Sequence, residues 1–254
     1  MSARDTIVVK VGTGVLTRED GTLDSASLAR LVNAVADLPD QGKGVVLVSS
    51  GAVGAGISAF GLTEYPADVP ARQAAAAVGQ TRLMHAYENL FRSFDLSVAQ
   101  LLLTAADLEN EDRRRRVSDL LDRLIAEQRI VPVINQNDSV AVEELSVGDN
   151  DMLSARVAGL VSARMLILLT TVDGLYPPDS EEIVKEVLSV SDVMSYAKEE
   201  RGRFAIGGME SKLRAVKLAV EEGVETVIAN GRRPDRLAEI LEGHGLATRF
   251  PVGE

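Results

Sequence analysis

The chain has 254 residues, 46% of them hydrophobic, which is enough for a buried core and, at this length, one or two domains. Its net charge of −11 argues against nucleic acid as a main partner, because phosphate backbones recruit basic surfaces. Without cysteine, a signal-peptide pattern or an apolar run of the ~20 residues that a membrane span needs, we expect a soluble cytoplasmic protein with no disulfides and no membrane partner.

Apolar, β-branched runs alternate with segments of helical periodicity along the whole chain. In chain order, the first half predicts a strand at residues 6–11, a helix at 23–38, a strand at 44–48, a helix at 71–94, a strand at 96–103 and a helix at 111–126. The second half predicts a strand at 130–134, a helix at 151–161, a strand at 165–169, a helix at 210–222, a strand at 224–229 and a helix at 234–242. Asp24 or Ser25 is expected to cap the first helix. Residues 177–204 are the least regular, and either a flexible cover over a ligand or an ordinary surface connection fits them.

Continuous apolar strands alternating with helices indicate an α/β fold, a three-layer αβα sandwich with a largely parallel central sheet. Ligands of such sheets bind beyond the carboxyl ends of the strands. Polar or glycine-rich clusters follow four of the predicted strands there, at residues 12–14, 49–51, 135–138 and 170–173. We therefore predict one domain, residues 1–254, with its site at this edge of the sheet.

Carboxylates and amides are concentrated between residues 135 and 155, around two predicted chain reversals. Asn135 and Asp138 come after an apolar run, and Gly148 with residues 149–151 comes before a helix. No cysteine or histidine lies nearby, so the set suits a substrate with an ammonium group, or a Mg²⁺-phosphate, and not zinc. A turn and a helix cap are the purely structural alternatives, although one capping residue would be enough for the helix.

Two lysines far apart in the sequence lie in glycine-rich surroundings. Lys10 is at the end of the first strand, before Gly12 and Gly14, and glycines let backbone amides approach a phosphate. Lys212 follows Gly208 in the first turn of a helix, where a cation is unfavourable unless a negative group compensates for it. Residues 50–56 form a third glycine-rich turn, which suits either an anion or tight helix–sheet packing.

Together these features resemble the amino acid kinase family over nearly the whole chain. The segments that carry the resemblance are VKVGT (9–13), VSSGA (48–52), AVGQ (77–80), LLT (102–104), VPVINQND (131–138), VGDNDMLSA (147–155), GLY (174–176) and GGM (207–209). The resemblance implies transfer of the γ-phosphoryl group of ATP, with Mg²⁺, to the side-chain carboxylate of glutamate, the first step towards proline. It implies a substrate-binding part at about 1–160 and a nucleotide-binding part at about 161–254.

The resemblance also implies roles for particular residues. Glutamate would be bound by Ser50, Gly51, Asn135, Asp138 and Asn150. Lys10 and Lys212 would flank the transferred phosphoryl group, and Asp151 would orient both of them. The nucleotide would be bound by Lys10, Gly12, Thr170, Thr171, Asp173, Ile206, Gly207, Gly208, Met209, Glu210, Ser211 and Lys212, and no residue is expected to be a metal ligand in its own right.

The chain departs from the family pattern at two positions. Thr171 stands where the family usually has aspartate, and Ile206 stands where it often has threonine. We expect effects on nucleotide binding, with Asp173 as a substitute for the missing carboxylate. Many family members that phosphorylate glutamate continue into a PUA domain, which is not expected here.

Glutamate and ATP are the expected small-molecule partners, with proline as a feedback inhibitor and further copies of the chain in a homo-oligomer. Two alternatives remain open: a kinase of the same fold acting on another small acid or phosphate, and a non-catalytic ligand sensor.

Overall fold

A computed structural model describes residues 5–62, 64–140, 149–198 and 208–253 of the chain. Within these residues the strands are β1 (Thr6–Val11), β2 (Gly44–Ser49), β3 (Ser97–Leu103), β4 (Ile130–Gln136), β5 (Met165–Thr170), β6 (Glu225–Asn230) and β7 (Ala247–Phe250). The α-helices are α1 (Thr13–Leu16), α2 (Ser25–Ala36), α3 (Ala52–Ile57), α4 (Val69–Phe91), α5 (Ala105–Glu109), α6 (Glu111–Ala126), α7 (Asp149–Leu160), α8 (Val190–Val193), α9 (Met209–Glu221) and α10 (Leu237–Leu241). No helix in the described part of the chain is long and apolar enough to cross a membrane.

The seven strands form one sheet in the order β3-β4-β2-β1-β5-β6-β7. All neighbouring pairs are parallel except β6 and β7, which are antiparallel. Because β2 lies on one side of β1 and β5 on the other, the direction of winding changes at β1. Such a switch point leaves a crevice beyond the carboxyl ends of the strands, where ligands of open α/β sheets bind.

Helices cover both faces of the sheet, which confirms the predicted three-layer αβα sandwich. On one face, α2, α4 and α10 bury Leu28, Tyr87 and Leu237 against β1 and β5. On the other face, α6, α7 and α9 bury a second core. Every residue of β1 is buried, since this central strand is covered from both sides. Side chains alternate along a strand, so Lys10 shares the face of Val8 and points towards α7 and α9.

The predicted strands and helices are present, with bounds that differ by up to three residues. Asp24 caps α2 by accepting a hydrogen bond from the main-chain N–H of Ala26. The helices predicted at 71–94 and 234–242 each contain a 3₁₀ turn, at Arg92–Phe94 and Pro234–Arg236. In the stretch 177–204, residues up to 198 include α8 and a bridge between Glu186 and Arg249, and the remainder lies outside the described residues.

Short elements escaped sequence-based prediction. The strand β7 has four residues and joins the sheet only by pairing with β6. The helices α1, α5 and α8 have four or five residues each, too few to show helical periodicity.

Two glycines bring α3 and α4 unusually close together. A Cβ atom added at Gly56 would lie 1.9 Å from the carbonyl oxygen of Ala75, and one added at Gly79 would lie 1.8 Å from that of Ala52. Neither position can therefore hold a side chain without moving the backbone. The close crossing places Gln80, the residue after Gly79, beside the carboxyl end of β4.

Candidate active site

At the switch point, one carboxylate holds two lysines. The Nζ atom of Lys10 lies 2.5 Å from Oδ1 of Asp151, and the Nζ atom of Lys212 lies 3.2 Å from Oδ2 of the same carboxylate. Only 5% of Lys10, 1% of Asp151 and 8% of Lys212 is exposed. The three residues come from the end of β1 and the first turns of α7 and α9. The structure thus brings together the three residues that sequence analysis named as catalytic.

The electrostatics of this cluster favour an anionic ligand. Two ammonium groups and one carboxylate leave a net charge of +1 in a buried volume, and a buried charge is costly unless it is paired. Burial lowers the pKa of Lys10, the positive charge of Lys212 lowers it further, and Asp151 opposes both effects. A phosphate group in the crevice would add negative charge next to the two ammonium groups.

Asp151 also explains how a lysine is tolerated at the start of α9. The first turn of a helix carries partial positive charge, so a cation there needs a compensating negative group. The carboxylate of Asp151 provides it to Lys212 from the neighbouring helix. The expectation that a phosphate compensates Lys212 as well remains a prediction.

Gly12 leaves open the space next to Lys10. A Cβ atom at this position would lie 3.7 Å from the lysine Nζ and 3.4 Å from the carbonyl oxygen of Leu169. The amide N–H of Gly12 donates to that same carbonyl at 3.1 Å, so it is already used in joining β1 to β5. Gly12 therefore contributes room beside the ammonium group and not a free N–H.

A cluster of amide side chains lies on the other side of Asp151. Asn150, its neighbour in α7, donates from Nδ2 to Oδ1 of Asn135 at 2.9 Å and to Oγ of Ser50 at 3.1 Å. Asn135 in turn donates to Oε1 of Gln80 at 2.9 Å. Three of the residues predicted to bind a substrate, Ser50, Asn135 and Asn150, are thus linked by hydrogen bonds through Asn150, although they come from three different parts of the chain.

The remaining two predicted substrate-binding residues are Gly51, which follows Ser50, and Asp138, which lies three residues after Asn135. Gly51 adopts the left-handed conformation (φ 102°), which turns the chain from β2 into α3 directly after Ser50. Asp138 is half-buried in the turn after β4. It lies close enough to Tyr65 that its negative charge, after burial, helps to raise the pKa of that phenol.

Thr170, Thr171 and Asp173, which are predicted to bind a nucleotide, lie at or just after the end of β5, the strand that pairs with β1. The methyl group of Thr171 would be only 3.0 Å from a Cβ atom at Gly14, so the loop after β5 packs on the turn after β1. Asp173 accepts a hydrogen bond from Nδ2 of Asn230 at 3.0 Å, which fixes its carboxylate at the end of β6. The main-chain carbonyl of Thr170 accepts from the N–H of Gly231 at 2.8 Å.

The turn before α9 is described from Gly208 onwards. Gly208 precedes the helix as its N-cap residue, and Met209 is buried. Glu210 is exposed and pairs with Arg214 on the surface at 2.7 Å. Ser211, in the same first turn, donates its N–H to the carbonyl of Gly208 at 3.1 Å. Ile206 and Gly207, the other residues predicted here, lie outside the described residues.

Among the described residues, no group of three or more acidic, histidine or cysteine side chains could hold a metal ion. Mg²⁺ keeps most of its ligands from water and substrate phosphates and needs few from a protein.

Several residues that support the site were not predicted from the sequence. Gln80 belongs to a quoted motif, but its contact with Asn135 depends on how α3 and α4 cross. Tyr87 is fully buried, its hydroxyl lies 2.8 Å from Oγ of Ser49, and Ser49 donates to the carbonyl of Ser50. A tyrosine in an apolar helix face gave no signal of this role.

Comparison with known proteins shows the family to which the chain belongs. A sequence profile of the amino acid kinase family matches residues 5–230, and the chain belongs to this family. Glutamate 5-kinase of Symbiobacterium thermophilum is 45% identical over 249 residues, which are 96% of this chain and 95% of that protein. Glutamate 5-kinase of Geobacter sp. (strain M21) is 47% identical over 98% of this chain and 68% of its own length.

The fold is shared more widely than the sequence. Carbamate kinase from Giardia lamblia, solved with AMP-PNP bound, superposes with a TM-score of 0.66 at 16% identity, over 99% of both chains. At this identity the similarity shows the fold alone.

Proposed function

We propose that this chain transfers the γ-phosphoryl group of MgATP to the side-chain carboxylate of glutamate, giving glutamyl 5-phosphate and ADP. The observation that carries the proposal is the pair of buried lysines held by Asp151 at the switch point, next to the amide cluster around Asn150. The 40–47% identity to glutamate 5-kinases supports glutamate as the acceptor.

The chemistry needs positioning and charge neutralisation more than covalent help. A carboxylate oxygen of glutamate attacks the γ-phosphorus while the bond to the β,γ-bridging oxygen breaks, and ADP leaves. The acceptor is already an anion, so no general base is required. The ammonium groups of Lys10 and Lys212 stabilise the charge on the migrating group, and Asp151 keeps both pointed at it.

The acceptor would be bound by the amide side of the site, in the N-terminal part of the chain. Asp138 is the proposed partner of the glutamate ammonium group, which a partly buried pocket must pair. Ser50 and Asn150, supported by Asn135, are the proposed partners of a carboxylate.

The nucleotide would be bound by the C-terminal part. Its proposed contacts are Lys10, Gly12, Thr170, Thr171, Asp173 and residues 206–212. Mg²⁺, held together with the nucleotide by these residues, would supply positive charge that stabilises the phosphates during transfer.

The direct test is ADP release by the purified chain with MgATP, with and without glutamate. We expect glutamate-dependent turnover and little with N-acetylglutamate or glutarate, neither of which carries an ammonium group. Faster turnover with UMP, isopentenyl phosphate or another acid would refute glutamate as the substrate. Tight ATP binding with no turnover on any acceptor would instead indicate a sensor.

Asp138→Asn tests the ammonium contact separately. This variant should lose most of the preference for glutamate over glutarate, because the charge that pairs with the ammonium group is gone. If the preference stays as in the wild type, Asp138 does not bind that group.

Proline inhibition, a homo-oligomeric state and a cytoplasmic location complete the proposal. Initial rates with added proline, light scattering of the purified chain and cell fractionation test the three in turn. Rates that are unchanged at millimolar proline would reject proline inhibition. A monomeric mass would reject the homo-oligomer, and recovery outside the soluble fraction would reject the cytoplasmic location.

A further inference from the structure

The amide cluster is a chain of hydrogen bonds with one fixed direction. Its origin is the main-chain N–H of Gln136, which can only donate. This N–H lies 2.8 Å from Oδ1 of Asn135 and 3.3 Å from Oδ1 of Asn150. Both asparagines must therefore present their oxygen atoms to Gln136 and turn their NH₂ groups away.

The orientations of the two asparagines then determine the hydrogen bonds at both ends of this hydrogen-bond chain. The NH₂ group of Asn135 needs an acceptor, and Oε1 of Gln80 provides it at 2.9 Å. The two hydrogens of Asn150 go to Asn135 and to Oγ of Ser50. Since Ser50 Oγ accepts here, its own hydrogen is left to donate. No described residue takes that hydrogen, and it suits an anionic oxygen of a ligand.

Gln80 closes the end of the hydrogen-bond chain that is remote from Ser50. It is only 7% exposed, and within the described part of the protein its Nε2 atom has no hydrogen-bond partner. A buried amide whose NH₂ group has no hydrogen-bond partner destabilises the fold, so we expect the side chain of Gln80 to have a compensating role. Its other half supplies the acceptor that Asn135 requires, and the close approach of α4 at Gly79 brings it within reach.

We propose that Gln80 is a positioning residue that holds Asn135 in the orientation that Gln136 requires, and so keeps Asn150 donating to Ser50 and leaves the hydroxyl hydrogen of Ser50 for a carboxylate of the acceptor substrate. The proposal rests on the proposed function, because it assumes that an amino acid carboxylate binds at Ser50. Gln80 does not touch the substrate in this scheme. Without its Oε1, the Asn135 amide must find another acceptor, and the contacts that end at Ser50 are rearranged.

The test compares two variants at Gln80. Gln80→Met keeps the length of the side chain but removes the acceptor, whereas Gln80→Glu keeps an acceptor oxygen for Asn135. For Gln80→Met we expect a KM for glutamate about tenfold higher, the effect of losing one buried hydrogen bond. The KM for ATP should stay within twofold and kcat within threefold. Gln80→Glu should recover a KM for glutamate within threefold of the wild type.

A matched control is Gln41→Met, the same chemical change in an exposed turn before the amino end of β2. It should change none of these constants. If Gln80→Met does not fold, as judged by its thermal midpoint, Gln80→Leu replaces it. An unchanged KM for glutamate, an equal rise in both KM values, or a Gln80→Glu variant as impaired as Gln80→Met would overturn the proposal.

A crystal structure of Gln80→Met separates this proposal from the proposed function. If the wild type shows no glutamate-dependent turnover, the proposed function fails. The structure then still decides about Gln80. A contact between Asn150 Nδ2 and Ser50 Oγ that persists near its 3.1 Å would overturn the positioning role, and its loss would support it.

Discussion

Replacing Asp151 by asparagine removes the negative charge that contacts two buried lysines and leaves the shape of the side chain nearly unchanged. Removing one partner of a buried ion pair costs roughly 3–5 kcal/mol, because the remaining charge is left uncompensated. Here the two ammonium groups of Lys10 and Lys212 would also repel each other. This repulsion is removed if one of the two lysines loses its proton.

The free energy needed to deprotonate one of the two lysines sets an upper limit on the stability that the variant loses. The ordinary pKa of lysine is 10.5. Neutralising one lysine at about pH 7.5 therefore costs ~4 kcal/mol, at about 1.36 kcal/mol for each pH unit. We expect Asp151→Asn to lower the free energy of unfolding by about 3–4 kcal/mol at this pH. Near pH 9.5 the same limit is only ~1.4 kcal/mol.

The sign of the pH dependence follows from proton counting. Burial already lowers the pKa of Lys10 in the wild type, and the variant loses the opposing effect of Asp151, so its folded-state pKa is lower still. Between these two folded-state pKa values the folded variant binds fewer protons than the folded wild type. Stability then rises with pH, and the deficit of the variant shrinks. The deficit should be larger near neutral pH than close to pH 10, where most of it should be gone.

Urea unfolding of both proteins at several pH values between about 7 and 10, without nucleotide, measures this difference. Glu210→Gln is the control, because Glu210 pairs with Arg214 at the surface, where such pairs contribute about 0–1 kcal/mol. A deficit for Asp151→Asn below about 1 kcal/mol at pH 7.5, or one that is equal at all pH values, would refute the reasoning.

Three further predictions concern activity and packing. Lys10→Ala and Lys212→Ala should each lower kcat by on the order of 10²-fold or more, as loss of a charge stabiliser does, and near wild-type ADP release in either would contradict its role. Because burial lowers the pKa of Lys10, kcat/KM should fall at alkaline pH with a midpoint below 10.5. Lys10→Arg should lack this fall. A wild-type kcat/KM that stays constant up to pH 10.5 would contradict the prediction. Gly79→Ala should destabilise the fold by more than ~2 kcal/mol in thermal unfolding, since its Cβ would lie 1.8 Å from a main-chain oxygen, whereas Gly253→Ala, with no described atom within 4 Å, should change it by less than about 0.5 kcal/mol.

Local patterns in the sequence predicted the lysines of the site. Lys10 was visible because a charge ends an otherwise apolar strand, and Lys212 because it lies unfavourably at a helix start. Their convergence on Asp151 depends on the strand order β2-β1-β5, which no local pattern contains. It was therefore the family resemblance, and not spacing, that connected the two lysines.

The supporting residues were harder to predict for the same reason. Gln80 follows an alanine run whose periodicity marks a helix but not its partners. Only the contact of Gly79 with Ala52 brings that helix to the amide cluster. The strand β7 was missed because four residues at the edge of a sheet carry little periodic signal, and its position depends on β6.

Hydroxylamine trapping tests the central claim most directly, because it reports the bond that is made. An acyl phosphate reacts with hydroxylamine to give a hydroxamate and inorganic phosphate. With MgATP and glutamate, the chain should produce γ-glutamyl hydroxamate in a one-to-one ratio with ADP, and Lys212→Ala should produce very little. ADP release without hydroxamate, or hydroxamate formed equally well by Lys212→Ala, would contradict phosphoryl transfer to the glutamate carboxylate at this lysine pair.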